Sequence, residues 1–255
     1  MIVDLVLHNG KAYVDGRLVD CCLSVDDGRI VKIGKEATMP EADSTLDLRN
    51  LVVLPGLIDA HVHLRDEGKA RKEDFYTGTA AAAAGGITTV LDMPNNDPVT
   101  MSTETLRNRK RIAENKILVN VGFFSEFPDD VEDILKIVHE GAIAFKLFMA
   151  EQVGGLNIDD DTALSQAFKI VSSMKALVAA HAEDRATIRE VEDRLKRARR
   201  SDIDAFLDAH SEKAEAKTIK RLIDIAKKAG SRLHFCHVST KEGLKAIIAA
   251  KKSPV

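Results

Sequence analysis

Residues 51–63 read LVVLPGLIDAHVH, an apolar run that passes a Pro-Gly pair and ends in two histidines. A nearly unbroken apolar stretch bounded by turn residues reads as a strand buried on both faces, the kind found in parallel sheets. Side chains alternate across a strand, so Asp59, His61 and His63 share one face. A doubly wound nucleotide-binding sheet would place a glycine-rich turn after this first strand. Here the chain continues Leu64-Arg65-Asp66-Glu67-Gly68 instead.

The rhythm set by this stretch repeats along the chain. Strand-like runs at 87–93, 117–124, 142–149, 176–183 and 232–238 alternate with helix-like segments. The helical patterns cover about 73–84, 102–114, 129–139, 160–174, 184–199, 211–229 and 241–252. Six such units predict an α/β fold, a (β/α)8 TIM-like barrel in preference to an open doubly wound sheet. The charged segment 184–221 reads as a solvated helical excursion without chemistry.

Residues 1–50 differ. IVDLVLH ends at Asn9-Gly10, and Asp26-Asp27-Gly28 separates LVDCCLSV from RIVKIG as a hairpin turn would. The expected organisation is a small antiparallel unit at 1–50, part of a β-sandwich, followed by a barrel domain at 51–255.

Composition narrows the function. Hydrophobic residues make up 45% and charged residues 30%, ordinary for a globular protein. Lys plus Arg number 37 against 40 Asp plus Glu, a net charge of −3 that gives no polyanion-binding surface and disfavours nucleic acid as a partner. Cys21, Cys22 and Cys236 form no CxxC pair and leave one odd, which suits a reducing cytoplasm. The opening MIVDLVLHNG has neither a basic n-region nor a long apolar core. No apolar run approaches the roughly 18–20 residues that span a bilayer. The expectation is a cytoplasmic protein without a membrane partner.

Two imidazoles spaced as in His61-Val62-His63 can hold one metal ion, although such a pair taken alone reads more readily as two unmetallated histidines in a polar mouth. Lys146 stands in the middle of the apolar run AIAFKLFMA, where an unpaired ammonium is costly. Either it reaches a strand end or a carboxylate, or it is a lysine of lowered pKa. A neutral amine can capture carbon dioxide as a carbamate, an anion whose two oxygens can bridge two metals. His181 in VAAHAED and His237 in HFCHVST lie at or near the ends of the fifth and sixth strands, with His234 the weaker candidate of its pair. His8, His139 and His210 lie off the strand ends and read as surface or packing residues. The strand ends carrying His61, His63, Lys146, His181 and His237 would meet at the C-terminal mouth of one barrel. Two metals about 3.5–4 Å apart suit hydrolysis of an unreactive carbonyl.

PGLIDAHVHLRD, LDMPNNDPV, AFKLFMA, AHAED and HFCHVST, in this order, resemble the motifs of the cyclic amidohydrolases, and most fully those of the dihydroorotase branch. The resemblance implies two zinc ions per subunit, His61 and His63 on one, His181 and His237 on the other, with Lys146 carboxylated by carbon dioxide and bridging. It implies a hydrolase that interconverts (S)-dihydroorotate and N-carbamoyl-L-aspartate in de novo pyrimidine biosynthesis, with a small molecule as partner and room for a homo-oligomer. Arg65 and Asn95, with His63, are the implied substrate-binding residues. A planar guanidinium binds a carboxylate through a paired, charge-assisted fork, and Asn95 adds a neutral donor. Allantoinases and dihydropyrimidinases share the ligand set, so they stay open as alternatives. A non-catalytic, amidohydrolase-like scaffold is a third reading, although it has no need of all five ligand residues.

The resemblance also implies an aspartate at the end of an eighth strand, as metal ligand and general acid–base. No aspartate occurs after Asp224, and Asp59 and Asp92 belong to the first and second strands. The sixth strand comes so late that only one further helix fits before Val255. The expectation is a barrel truncated after its sixth βα unit, whose catalytic aspartate lies beyond Val255, and which binds metal poorly and turns over little.

Overall fold

The computed structural model describes residues 2–252, which divide into two compact units, one up to Leu57 and one from Ile58 onward. The first unit contains β1 (Ile2–Val14), β2 (Arg17–Asp26), β3 (Arg29–Gly34), β4 (Glu41–Asp47) and β5 (Val52–Val53). Its sheet runs in the order β3-β2-β1-β4, with β5 also paired to β1. Asp15-Gly16 and Asp27-Gly28 make the two hairpin turns, and all four residues have positive φ, the backbone that such tight turns require. Asn9-Gly10 does not end a strand. β1 continues through it with a register shift between Leu7 and Gly10, and Asn9 takes a φ of 55°, as in a bulge. The expected antiparallel unit is in fact mixed, because β4 and β5 run parallel to β1. β3 already runs in β1's direction, and the chain crosses from it to the far side of β1 without reversing, so β4 enters the sheet parallel to β1.

The run at 51–63 also proves to be two strands. Pro55 has no N–H for a ladder and Gly56 adds freedom, so residues 54–56 leave the strand. β5 lies on one side of this break, and β6 (Leu57–Val62) on the other. The second unit continues with α1 (Phe75–Ala84), β7 (Ile87–Asp92), α2 (Thr103–Glu114), β8 (Asn120–Glu126), α3 (Asp133–His139) and β9 (Ala144–Phe148). It ends with α4 (Asp161–Ser173), β10 (Leu177–His181), α5 (Arg185–Arg197), α6 (Ile203–Ala209), α7 (Glu212–Ala229), β11 (Arg232–Phe235) and α8 (Lys241–Lys252). The six strands lie in chain order from β6 to β11, and every pairing from β7 to β11 is parallel. Burial on both faces is realised in the central β9, all of whose residues are buried. β6 is an edge strand, with Leu57 and Ile58 exposed. Within 184–221 an unexpected short helix, α6, starts where the Asp202 carboxylate accepts the Ala205 N–H. Here Ile188, Ala209 and Ala214 form a small core of their own, so the excursion is packed and not merely solvated.

The two faces of the six-stranded sheet differ. Val90, Phe123, Phe145, Leu147, Val178 and Ala180 pack against Leu106, Ile134, Leu164, Phe168, Ile219 and Leu222 of the helices. The opposite face carries only a small apolar patch of Met93, Phe124, Ala144, Ala179 and Cys236. Six flat strands about 4.8 Å apart would separate β6 from β11 by about 24 Å. Yet the rings of His61 and His237, at the ends of these two strands, stand 5.4 Å apart. The sheet is therefore strongly curled, with the sparsely apolar face inside. Among the described residues no helix is long and apolar enough to cross a membrane.

Candidate active site

Alternation along the strands puts a distinct set of side chains on the inner face. Val62, Phe145, Leu147, Leu233 and Phe235 face the helices, so His61, His63, Lys146, His234 and Cys236 face inward. Ring centroids lie 5.3 Å apart for His61–His63, 5.4 Å for His61–His237 and 4.7 Å for His181–His237. Lys146 is wholly buried. Its Nζ donates to Cys236 Sγ at 3.0 Å and lies 4.9 Å from the Phe148 ring centroid. Glu126 pairs with Lys146 across the β8–β9 ladder, and its buried Oε2 has no hydrogen-bond partner. Burial pushes the Glu126 carboxyl well above the usual carboxylate range, against the pull of Lys146.

His61, His63, His234 and His237 are held toward the neutral form. Burial brings His61 down to about 4, with Lys146 and then His63 and His237 adding to the effect. Burial likewise brings His63 to about 4, against a hydrogen bond with Asn95 that favours the charged ring, with Arg65 and Lys146 lowering it further. His237 and His234 shift downward for the same first reason. A neutral imidazole keeps one lone pair for a metal, so this donor set is already in its ligating form at neutral pH.

Neighbouring groups decide which nitrogen is free. His63 Nδ1 lies 2.7 Å from Asn95 Oδ1, which can only accept, so Nδ1–H donates and Nε2 carries the lone pair. His181 Nε2 lies 2.6 Å from Glu183 Oε2, which leaves Nδ1 facing His237 Nε2 at 3.1 Å. Glu183 is in turn held by His210 Nδ1 at 2.9 Å, and the His210 ring stacks on Phe206 at 4.2 Å. Carboxylate and amide partners of this kind set the tautomer and aim of metal-binding histidines. Among the described residues no group of three His, Cys, Asp or Glu donors could hold a metal ion. Four histidines stand around the buried lysine. Carboxylated, Lys146 would add the further oxygen donors that these histidines lack, and the residues present would then fit a two-metal centre.

The structure thus brings His61, His63, Lys146, His181 and His237 to one mouth, with His234 deeper on the same face. Asp59 accepts the backbone N–H of His61 at 3.0 Å. Arg65, half-buried with a φ of 37°, lies within electrostatic reach of His63. Asn95 spends its carbonyl on His63. His8, in β1, and His139, at the end of α3, take no part in this cluster. His210, which reads from sequence as a surface or packing residue, is drawn into the site through Glu183. Glu183, Glu126 and the buried Arg109 of α2 also escape the sequence reading. Glu183 sits inside AHAED two residues after His181, a spacing that returns a strand side chain to the same face, and this was its one available signal.

Neutral imidazoles and a buried lysine, gathered at the strand ends of a curled parallel sheet, define the amidohydrolase class. A family profile described as dihydro-orotase-like matches residues 50–243. The chain belongs to this dihydroorotase family of amidohydrolases. It is 34% identical over 246 residues to a dihydroorotase of Methanosarcina acetivorans, covering 94% of this chain and 51% of that protein. It is 31% identical over 265 residues to an allantoinase of Salmonella choleraesuis, covering 99% of this chain and 57% of that protein. Among solved structures, L-hydantoinase (dihydropyrimidinase) from Arthrobacter aurescens superposes with a TM-score of 0.89 at 27% identity, over 98% of this chain and 56% of that one. The chain spans about half the length of the curated relatives it matches.

Proposed function

We propose that the protein is a metal-dependent hydrolase of a cyclic amide, and that its substrate is dihydroorotate, opened reversibly to N-carbamoyl-L-aspartate in pyrimidine biosynthesis. The observation that carries this reading is the convergence of four histidines on the buried Lys146. A lysine wholly removed from water, next to a thiol and an aromatic ring, is a poor structural choice. It is a good site for carbon dioxide capture, in which the neutral amine forms an N–C bond and releases one proton. The resulting carbamate would complete both histidine pairs, His61 with His63 and His181 with His237. Divalent ions bound there, zinc in this reading, supply Lewis acidity: they lower the pKa of water and polarise a carbonyl oxygen.

The protein's own groups do the rest. The Asn95 carbonyl holds the His63 ring in one tautomer, and Glu183 does the same for His181. Arg65, beside His63, is placed to take the carboxylate that distinguishes dihydroorotate from uncharged cyclic amides. Asn95 presents its NH2 beside it. We read the six-stranded sheet as part of a (β/α)8 barrel and the N-terminal sheet as part of a β-sandwich. On this reading the general acid–base is an aspartate outside residues 1–255, and turnover belongs to the whole enzyme.

Relatives named allantoinase and solved hydantoinases keep the ring specificity open to test. Dihydroorotate, allantoin and dihydrouracil should be assayed side by side on the whole enzyme with zinc and bicarbonate, together with elemental analysis of the metal. Preferential turnover of dihydroorotate with more than one metal per chain supports the proposal. A preference for allantoin or dihydrouracil moves the substrate, and a protein that takes up no metal refutes the mechanism.

A further inference from the structure

Behind the histidines lies an ion pair that the proposed chemistry does not use. Arg109, on α2, heads the fully buried side chains by size. Its Nε and Nη2 donate to Asp92 Oδ2, at the end of β7, at 2.8 and 2.5 Å. The guanidinium sits 4.9 Å from the Phe75 ring centroid, and its Nη1 is buried without a partner. The other carboxylate oxygen, Asp92 Oδ1, accepts the backbone N–H of Leu64 at 2.9 Å. Leu64 lies just past β6, beyond the bond from Met93 N–H to Val62 O. Its neighbours are His63 on one side and Arg65 on the other.

A buried pair of charges is a weak source of stability, since apolar residues of similar volume often serve as well or better. An orphaned guanidinium nitrogen makes stability a still poorer account of this one. What the pair does provide is a rigid acceptor at one particular amide. We infer that Arg109 and Asp92 are positioning residues. They form a strut from α2 through β7 to the His63-Leu64-Arg65 turn, and it sets the His63 imidazole and the Arg65 guanidinium in register with each other. The strut itself stands on hydrogen bonds, while what His63 and Arg65 hold rests on the function proposed above.

Two double variants separate the strut from mere packing. Asp92→Leu with Arg109→Leu keeps an apolar fill and deletes the acceptor. Asp92→Asn with Arg109→Gln keeps a neutral acceptor for Leu64 and an amide-to-amide link behind it. Amide hydrogen exchange at Leu64 and the His63 ring signals are followed by NMR, and zinc affinity by competition with a chromophoric chelator. In the leucine pair, Leu64 exchange should speed up by about tenfold, the worth of one hydrogen bond. The His63 ring signals should move, and zinc affinity should fall by roughly ten- to a hundredfold, as when a ligand's supporting partner is lost. The amide pair should stay close to the parent in all three. A folded leucine pair with parental Leu64 exchange and zinc affinity overturns the inference, as does equal loss in both pairs. If the leucine pair fails to fold, an amide-to-ester replacement at Leu64, which deletes only the N–H, is read by the other two measurements: the His63 ring signals should move and zinc affinity should fall as in the leucine pair, and parental values of both overturn the inference. A parent that binds no zinc refutes the proposed function alone, because Leu64 exchange and the His63 signals still decide the strut.

Discussion

Lys146→Met keeps an unbranched side chain of similar length at a wholly buried position, and removes the ammonium. The lysine's hydrogen bond is to the Cys236 thiol, a weak partner, at 3.0 Å. Replacing buried ionic groups by apolar ones of similar volume is often neutral or stabilising by about 1–4 kcal/mol. The lower part of that range applies here, because the variant also forfeits the contacts of the Lys146 Nζ with Cys236 and with the Phe148 ring. Glu126 is pushed toward its neutral form by burial, so it is not left as a bare charge. A gain of about 1–2 kcal/mol in a unit of this size raises the melting temperature by about 2–8 °C. The metal-free variant should therefore be as stable as the parent or more so, while losing the amine that carries carbon dioxide. Thermal denaturation in chelator measures the first quantity, and elemental analysis after incubation with zinc and bicarbonate the second. The expected signature is opposite movement: stability level or up, zinc content down. A variant that melts several degrees lower yet binds zinc like the parent would show that Lys146 is structural and refute the bridging role.

Arg65→Met should lower kcat/KM for dihydroorotate by roughly ten- to a hundredfold through lost carboxylate binding, with zinc content unchanged; an unaltered value in steady-state assays argues for an uncharged substrate. Glu183→Ala frees the His181 ring and should weaken zinc binding by roughly ten- to a hundredfold, measured by chelator competition, and an unchanged affinity sinks its orienting role. His61 and His63 titrate near 4 in the fold against an ordinary value of 6.5, so between these values the unfolded chain binds more protons than the native one. Their contribution to the stability of the metal-free chain is thus present above about pH 6.5 and lost as the pH falls toward 4. Melting curves between those limits should slope less when both are replaced by glutamine; equal slopes would remove the histidines from the acid transition.

The strand-and-helix rhythm of the second unit was legible because apolar runs and amphipathic helices differ in period, and the site histidines fall at or near strand ends that the period locates, with Lys146 inside β9. The same reading merged β5 with β6, since a continuous apolar run says nothing about which sheet its parts join; Pro55 and Gly56 were the only local sign of the break. It also took Asn9-Gly10 for a strand end, where a long-range pairing with β2 carries β1 through a bulge. His210 reads as a surface or packing residue because its role depends on α6 bringing it to Glu183, 27 positions away in sequence. Arg109 looked like any helix-surface arginine. Only the end of β7 beneath it, carrying Asp92, makes it an interior residue. Local periodicity is written in neighbouring letters, whereas second partners of a site are written in the tertiary fold.

The nearness of His61 and His237 has a mechanical meaning. These residues lie at opposite edges of the sheet, so the gap between them adds up the small rotations at every strand pairing from β6 to β11. On the inner face of the neighbouring strands β9 and β10, the small side chains of Ala144 and Ala179 leave room for that bending. The histidine-lined mouth is thus dimensioned by cumulative curvature, like the opening of a bent spring, and no single strand owns it. An ion bridging the two ends would in turn clamp the spring at one radius, so that ligand binding and sheet shape become a single elastic variable.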